Sequence, residues 1–206
     1  MVRALKRLTL LLVAVLVWAG IAGVAAFEMF DRNFPPPLAA TTDISPQVVD
    51  AQGRLLRVFT NTSGRLRMGV DISDIDPRLI SMVVAYEDKR FWRHGGVDFL
   101  SLARAAGQLI ANRRIVSGGS TLSMQLARLI EPRGRRSLGA KLFQIVRAWQ
   151  IERRLGKSEI LGRYLTLASY GGNIEGVRAA ALAYFGKKPT LLSPAKAALL
   201  VALPQA

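Results

Sequence analysis

The chain has 206 residues, 50% of them hydrophobic, and its Lys+Arg 29 against Asp+Glu 14 give a formal net charge of +15. Such a length buries one real core, so one folded domain with an appendage is expected. The charge favours polyanionic partners, whether nucleic acid, anionic lipid or a pyrophosphate-bearing substrate. With no cysteine and a single histidine, disulfides, thiol nucleophiles, zinc ribbons and histidine-rich metal sites are excluded.

Residues 1–7 carry Arg3, Lys6 and Arg7, and the next charge is Glu28. Between them, residues 8–27 are apolar except for Thr9, about the 20 residues a helix needs to cross a bilayer core. A cleaved signal peptide has a shorter apolar region, about 7–15 residues, so the run reads as a retained anchor despite the cleavage-like Gly23-Val24-Ala25. The basic flank predicts a cytoplasmic N-terminus with the remainder outside. Residues 28–46 read as a linker stiffened by Pro35, Pro36 and Pro37. Over 47–75, short β-prone runs around Val48-Val49 and Leu55–Phe59, with turns at Asp50–Gly53 and Asn61–Gly64, predict a small β-meander.

Residues 76–206 read as helical. Asp76-Pro77 starts a helix whose stripe of Leu79, Ile80, Val83 and Val84 puts Tyr86 and Glu87 in its last turn. Asp98 caps a helix with Phe99, Leu102, Ala103, Ala106, Leu109 and Ile110 on one face. Ser120 is expected to cap the next helix, which stops before Pro132. The longest helix outside the anchor is expected over 138–155, ended by Gly156. Ser158-Glu159 starts another, Gly171-Gly172 breaks the chain, residues 179–185 form a short helix ended by Gly186, and Ser193-Pro194 caps the last. The class is mainly α, without βαβ alternation.

Residues 87–128 concentrate the chemistry. Glu87 is either a surface acid paired with Lys89, Arg90 or Arg93, or an acid whose placement at a helix C-terminus and aromatic cover suit a general base. His94 is a structural hydrogen-bonding residue or a participant. The Gly119-Ser120-Thr121 loop is a plain helix cap or, through backbone N–H groups and hydroxyls, an anion site. Gln125 and Arg128 follow on the helix it opens. Arg128, Lys141 and Arg136 extend that anion site, or form a basic face solvated by water or drawn to an anionic membrane.

These residues resemble the family 51 glycosyltransferase (transglycosylase) domain of class A penicillin-binding proteins, from about Phe34 to the last residue. EDKRFWRHGG is similar to the family's Glu-Asp-x-x-Phe-x-x-His-x-Gly motif and GGSTLSMQLAR to its Gly-Gly-Ser-Thr-x-x-x-Gln motif. EILGRYL, YGGNIEGVRAAALAYFGK and LSPAKAALLVALPQA follow in family order, and five ordered motifs are far more specific than any one. Met124, FPPPL and GRLLRVF are closer to the penicillin-binding protein 1C branch. The resemblance implies a lysozyme-like helical fold with an apolar jaw at the membrane. It also implies polymerisation of lipid II into peptidoglycan by inverting transfer, with Glu87 as general base. Asp88, Phe91 and His94 would support that base. Ser120, Thr121, Gln125, Arg128, Lys141 and Gln144 would line the cleft and hold substrate and departing lipid pyrophosphate. It further implies Mg2+ or another divalent cation at the pyrophosphate, and as partners lipid II, the growing glycan chain, the bacterial inner membrane and other cell wall synthesis proteins, but no nucleic acid. The catalytic part would face the periplasm.

Three positions depart from the pattern. Gln144 stands where a second glutamate is usual, Gly162 where a Glu is, and Thr166 where an Asn is. They motivate an alternative, a weakly active or inactive anchored module that binds glycan or lipid II. A single carboxylate can still suffice. Pyrophosphate leaves readily once cations neutralise it, whereas a hydrolase expelling an alkoxide needs a second acid. A transpeptidase domain, which normally follows in class A proteins, is not expected within these residues, on the expectation that no serine has a lysine three residues on.

Overall fold

The computed structural model describes residues 2–112, 119–134 and 137–205, and the side chains of 2–5, 106, 109–112 and 205 lie outside that description. The chain divides after Pro36. The first unit is helix α1, Val2–Asn33. At 1.5 Å per residue it is about 48 Å long, more than the ~30 Å of a hydrocarbon core. Over residues 6–26 its side chains, such as Leu11, Leu16 and Trp18, are exposed all round, as in a hydrophobic helix suited to lipid. That fits a single-pass membrane anchor. The helix continues six residues into the segment expected as linker. Nothing in Glu28–Asn33 breaks it until the prolines from Pro35 on, and Asn33 ties its own amide back to the Met29 carbonyl at 2.8 Å.

The second unit is helical with little sheet. A 3₁₀ turn (Leu38–Thr42) precedes β1 (Gln47–Val49) and β2 (Leu55–Val58), an antiparallel hairpin. The third strand, β3 (Leu66–Arg67), does not continue that sheet as a meander. It pairs in parallel with β4 (Ile174–Glu175), far along the chain. The reason is electrostatic and local: Arg67 reaches Glu175 at 2.7 Å with both side chains well covered, while the second turn carries the chain away from the hairpin.

Helix α2 (Pro77–Glu87) opens as its sequence predicts, with Asp76 accepting from the Arg78 N–H and Pro77 in the first turn. Helix α3 (Phe99–Asn112) is capped by Asp98, which accepts from the Ser101 N–H at 2.9 Å. The N-cap of α4 (Leu122–Ile130) is Thr121 and not Ser120. Thr121 has the extended backbone a cap requires and accepts from the Met124 N–H, which leaves the Ser120 hydroxyl for another partner. Ser137 caps α5 (Leu138–Glu152), a cap hidden in the sequence by the basic link before it. Helix α6 (Lys157–Leu167) starts at Gly156 itself. Helix α7 (Val177–Phe185) ends on Gly186 in the left-handed conformation, and α8 (Pro194–Ala202) follows.

Ser193 and Lys196 on α8 do have the Ser-x-x-Lys spacing, contrary to the expectation above. Lys196 lies over the Phe185 ring at 5.1 Å, so its ammonium packs on an aromatic face of α7.

Helix α4 is the hub. Residues 122–127 are all buried, and α4 packs against both α5 and α6. Leu122 and Leu126 join Leu79, Val83, Phe91, Ile151, Ile160, Leu161, Leu165 and Leu200 in one core. A nine-residue helix is marginal alone, so its stability comes from this enclosure. Two glycines are fixed by close approach at positive φ. A Cβ on Gly96 would meet the Ala148 carbonyl at 3.0 Å, pressing the loop after His94 onto α5, and one on Gly176 would meet the Thr166 oxygen at 2.6 Å.

Candidate active site

The end of α2 and the start of α4 meet through two adjacent acids. Asp88 is buried, and its carboxylate accepts from the Leu122 N–H at 3.0 Å and from His94 Nε2 at 2.9 Å. It therefore satisfies an orphan donor at the N-terminus of α4 while bracing the loop. His94 Nδ1 is buried with no hydrogen-bond partner among the described residues, and the ring stacks edge-on to Phe91 at 6.4 Å. Phe91 is fully buried and packs behind this loop, while His94 is half-buried. Thr121 works on the same loop, donating to the Gly96 carbonyl at 2.5 Å.

Glu87 points the other way, into a cleft of about 590 Å3. Its Oε2 accepts from Gln125 Nε2 at 2.8 Å, and Gln125 Oε1 accepts in turn from the Tyr164 hydroxyl at 3.4 Å. Burial, and then the charge of Glu87, push the Tyr164 phenol well above the usual range, with Arg128 pulling the other way. Tyr164 thus sits within electrostatic reach of both charges. Ser120 lines the same cleft, and Lys141 Nζ donates to its Oγ at 2.5 Å. Burial, and then the neighbouring Arg128, hold the Lys141 ammonium below the ordinary lysine range. Two cations are thereby kept together near one acid. Gln144 lies one turn beyond Lys141 on α5, half-buried. Arg136 lies outside the described residues.

The same cleft is lined by Arg90, Asp98 and Arg104, which the sequence reading did not select. Arg90 forms a tight ion pair with Asp98. Burial pushes the Asp98 carboxyl up, but the Arg90 and Ser101 bonds pull harder and hold it well below the usual range. Their signal was present in the spacing Arg90 to Asp98, yet an eight-residue separation across a loop carries no periodicity to detect.

Among the described residues no group of three or more His, Cys, Asp or Glu could hold a metal ion. The cleft's acids are each engaged, Glu87 by Gln125, Asp88 by His94 and Asp98 by Arg90. The described side chains therefore do not fit a protein-held divalent ion.

The family model described as Transglycosylase matches residues 52–206. This chain belongs to that transglycosylase family. Penicillin-binding protein 1C of Escherichia coli (strain K12) is 45% identical over 178 residues, covering 85% of this chain and 23% of that protein. Penicillin-binding protein 1A of Aquifex aeolicus (strain VF5) is 39% identical over 178 residues, 85% of this chain and 24% of that protein. Penicillin-binding protein 1A of Pseudomonas aeruginosa is 38% identical over 160 residues, 78% of this chain and 19% of that protein. The chain thus spans about a quarter or less of these relatives. The transglycosylase helical fold accounts for where the acid and the cations sit: α2 ends on the acid, α4 carries its amide partner and Arg128, and α5 carries Lys141.

Two of the three departures from the motif pattern lie together, away from the acid's cleft, and the third, Gln144, does not line that cleft either. Gly162 and Thr166 line a second cleft of about 460 Å3, beside Val70 and Arg163. Thr166 Oγ1 accepts from the Val70 N–H at 3.3 Å and donates to the Gly162 carbonyl at 2.9 Å, so a hydroxyl secures the β3–α2 connection there.

Proposed function

We propose that this transglycosylase is a peptidoglycan glycosyltransferase that polymerises lipid II into glycan strands, with Glu87 as general base. The observation that carries the reading is one carboxylate, bonded by Gln125, in a cleft that Ser120 also lines, with Lys141 on the Ser120 hydroxyl and Arg128 within electrostatic reach of Lys141. In the step, the 4-hydroxyl of the acceptor N-acetylglucosamine attacks the anomeric carbon of the growing chain and its proton passes to Glu87. The bond from that carbon to the lipid pyrophosphate breaks with inversion, and the electron pair leaves on the pyrophosphate. Lys141, Arg128 and the Ser120 hydroxyl act on the negative charge developing there, where preorganised donors contribute most. Polymerisation of lipid II by the purified, detergent-solubilised chain is the test, and no product above background would overturn the reading. The alternative, a weakly active or inactive anchored module that binds glycan or lipid II, predicts binding of lipid II with little or no product in the same assay.

Arg128→Ala and Lys141→Ala are each expected to lower turnover more than thermal stability, since long basic residues at helix edges usually change stability little. Their pH behaviour separates them further. Lys141 loses its proton below the ordinary lysine range, through burial and then repulsion from Arg128, so activity falls early on the alkaline side. Removing Arg128 removes the repulsion, and the alkaline limb of residual activity moves to higher pH. A limb that stays in place in Arg128→Ala shows that Lys141 does not govern it.

Arg3, Lys6 and Arg7, at the start of α1, favour a cytoplasmic N-terminus with the catalytic unit on the periplasmic face. The chain has no cysteine, so Asp74→Cys, on an exposed turn, introduces a unique thiol. It is expected to react with a membrane-impermeant reagent in spheroplasts. Protection until lysis would mean the opposite topology.

A further inference from the structure

We propose that Tyr164 is a positioning residue for the transfer step, its hydroxyl holding the Gln125 side-chain amide in the one orientation that turns N–H toward Glu87. The inference rests on the reading of Glu87 as the base. A carboxylate only accepts hydrogen bonds, so only the NH2 end of Gln125 serves it. The two ends of a glutamine amide are nearly equal in size, and packing alone does not choose between them. The choice falls to the groups at either end. Gln125 Nε2 lies 2.8 Å from Glu87 Oε2, and Gln125 Oε1 lies 3.4 Å from the Tyr164 oxygen. Gln125 and Tyr164 are only 8% and 4% exposed, so bulk water does not take over either end.

Tyr164 can do this because it remains a donor. Burial first, then the charge of Glu87, keep its phenol protonated through the working range, against a smaller opposing pull from Arg128. With phenylalanine in its place the Gln125 oxygen would be buried without a donor. The amide would then turn part of the time, presenting oxygen to the Glu87 carboxylate and pushing it off its mark. The relay links three helices: α6 sets the amide of α4, and α4 sets the acid at the end of α2. EILGRYL thus contributes to the chemistry from 39 residues beyond Gln125.

The test is Tyr164→Phe in the full chain, solubilised as for the parent, with lipid II as substrate. The expected result is a fall in kcat of about tenfold, the size of one net hydrogen bond near a charge. KM stays within about twofold and the melting temperature is little changed. In a Gln125→Ala background the same substitution has no further effect, because no amide remains to be oriented. A second readout is independent of turnover. The 15N-labelled Gln125 side-chain amide, shifted by its bond to the carboxylate, moves toward the free-amide position in Tyr164→Phe. An unchanged kcat and an unchanged amide resonance in Tyr164→Phe would overturn the inference, as would an equal loss in the Gln125→Ala background. Glu87→Gln serves as control: if it retains activity the base reading itself has failed, whereas a dead Glu87→Gln beside a normal Tyr164→Phe removes only Tyr164.

Discussion

Glu87→Gln is expected to polymerise lipid II about 10²–10⁴-fold more slowly than the parent, the usual cost of losing a general base. The substituted amide keeps the shape of the acid, and its carbonyl can still accept from Gln125 Nε2, which now lies 2.8 Å from Glu87. What it cannot do is take a proton from the acceptor hydroxyl. Stability should hardly move, or should rise, because an acid in the last turn of α2 opposes the helix dipole. The pair of measurements is a rate and a melting curve. Near-parental activity would remove Glu87 from the mechanism. Early melting would make it a structural acid.

The adjacent acid should behave in the opposite way. Asp88→Ala removes the acceptor for two buried donors at once, the Leu122 N–H and His94 Nε2. Stranding these two donors costs roughly 3 kcal/mol, with a further loss from the space vacated. Activity should fall with the folded fraction, since the start of α4 carries Ser120, Thr121 and Gln125. Asp88→Asn should be milder, because its oxygen can still accept from one of the two donors. Chemical denaturation of both variants checks this, and an Asp88→Ala midpoint equal to the parent's would show that the buried contacts contribute nothing. Two neighbouring acids are thus predicted to separate: one variant dead but folded, the other unstable.

Much of this was legible in the chain before any coordinates. The anchor follows from an uninterrupted apolar run, and α2 from Asp76-Pro77 and its stripe. Glu87, Gln125, Arg128 and Lys141 follow from the resemblance, and the structure bonds Gln125 to Glu87 and Lys141 to Ser120 of the same cleft. The failures share a cause. Whether Ser120 or Thr121 caps α4 depends on which residue has extended backbone, and the motif allows both. β3 finds its partner at Ile174–Glu175, over a hundred residues away, and short strands carry no signal of their mate. The Tyr164–Gln125 bond joins residues on two helices whose facing is decided only when the core closes. The motif sets Phe91 beside the acid without saying which way its ring turns, and the ring is fully buried in the core.

The enclosure of α4 has a consequence for how this protein can lose function. Its nine residues contribute Gln125 to the acid and lie between α5 and α6, and six in a row are buried. Local opening reaches loops and chain ends at little cost, but a segment buried over two-thirds of its length is released only when most of the molecule comes apart. The acid and its amide therefore share the fate of the fold: no half-open species retains the core while lacking the geometry at Glu87. Heat or denaturant should switch the protein off in one step, and damage to the exposed hairpin should leave the reacting groups where they were.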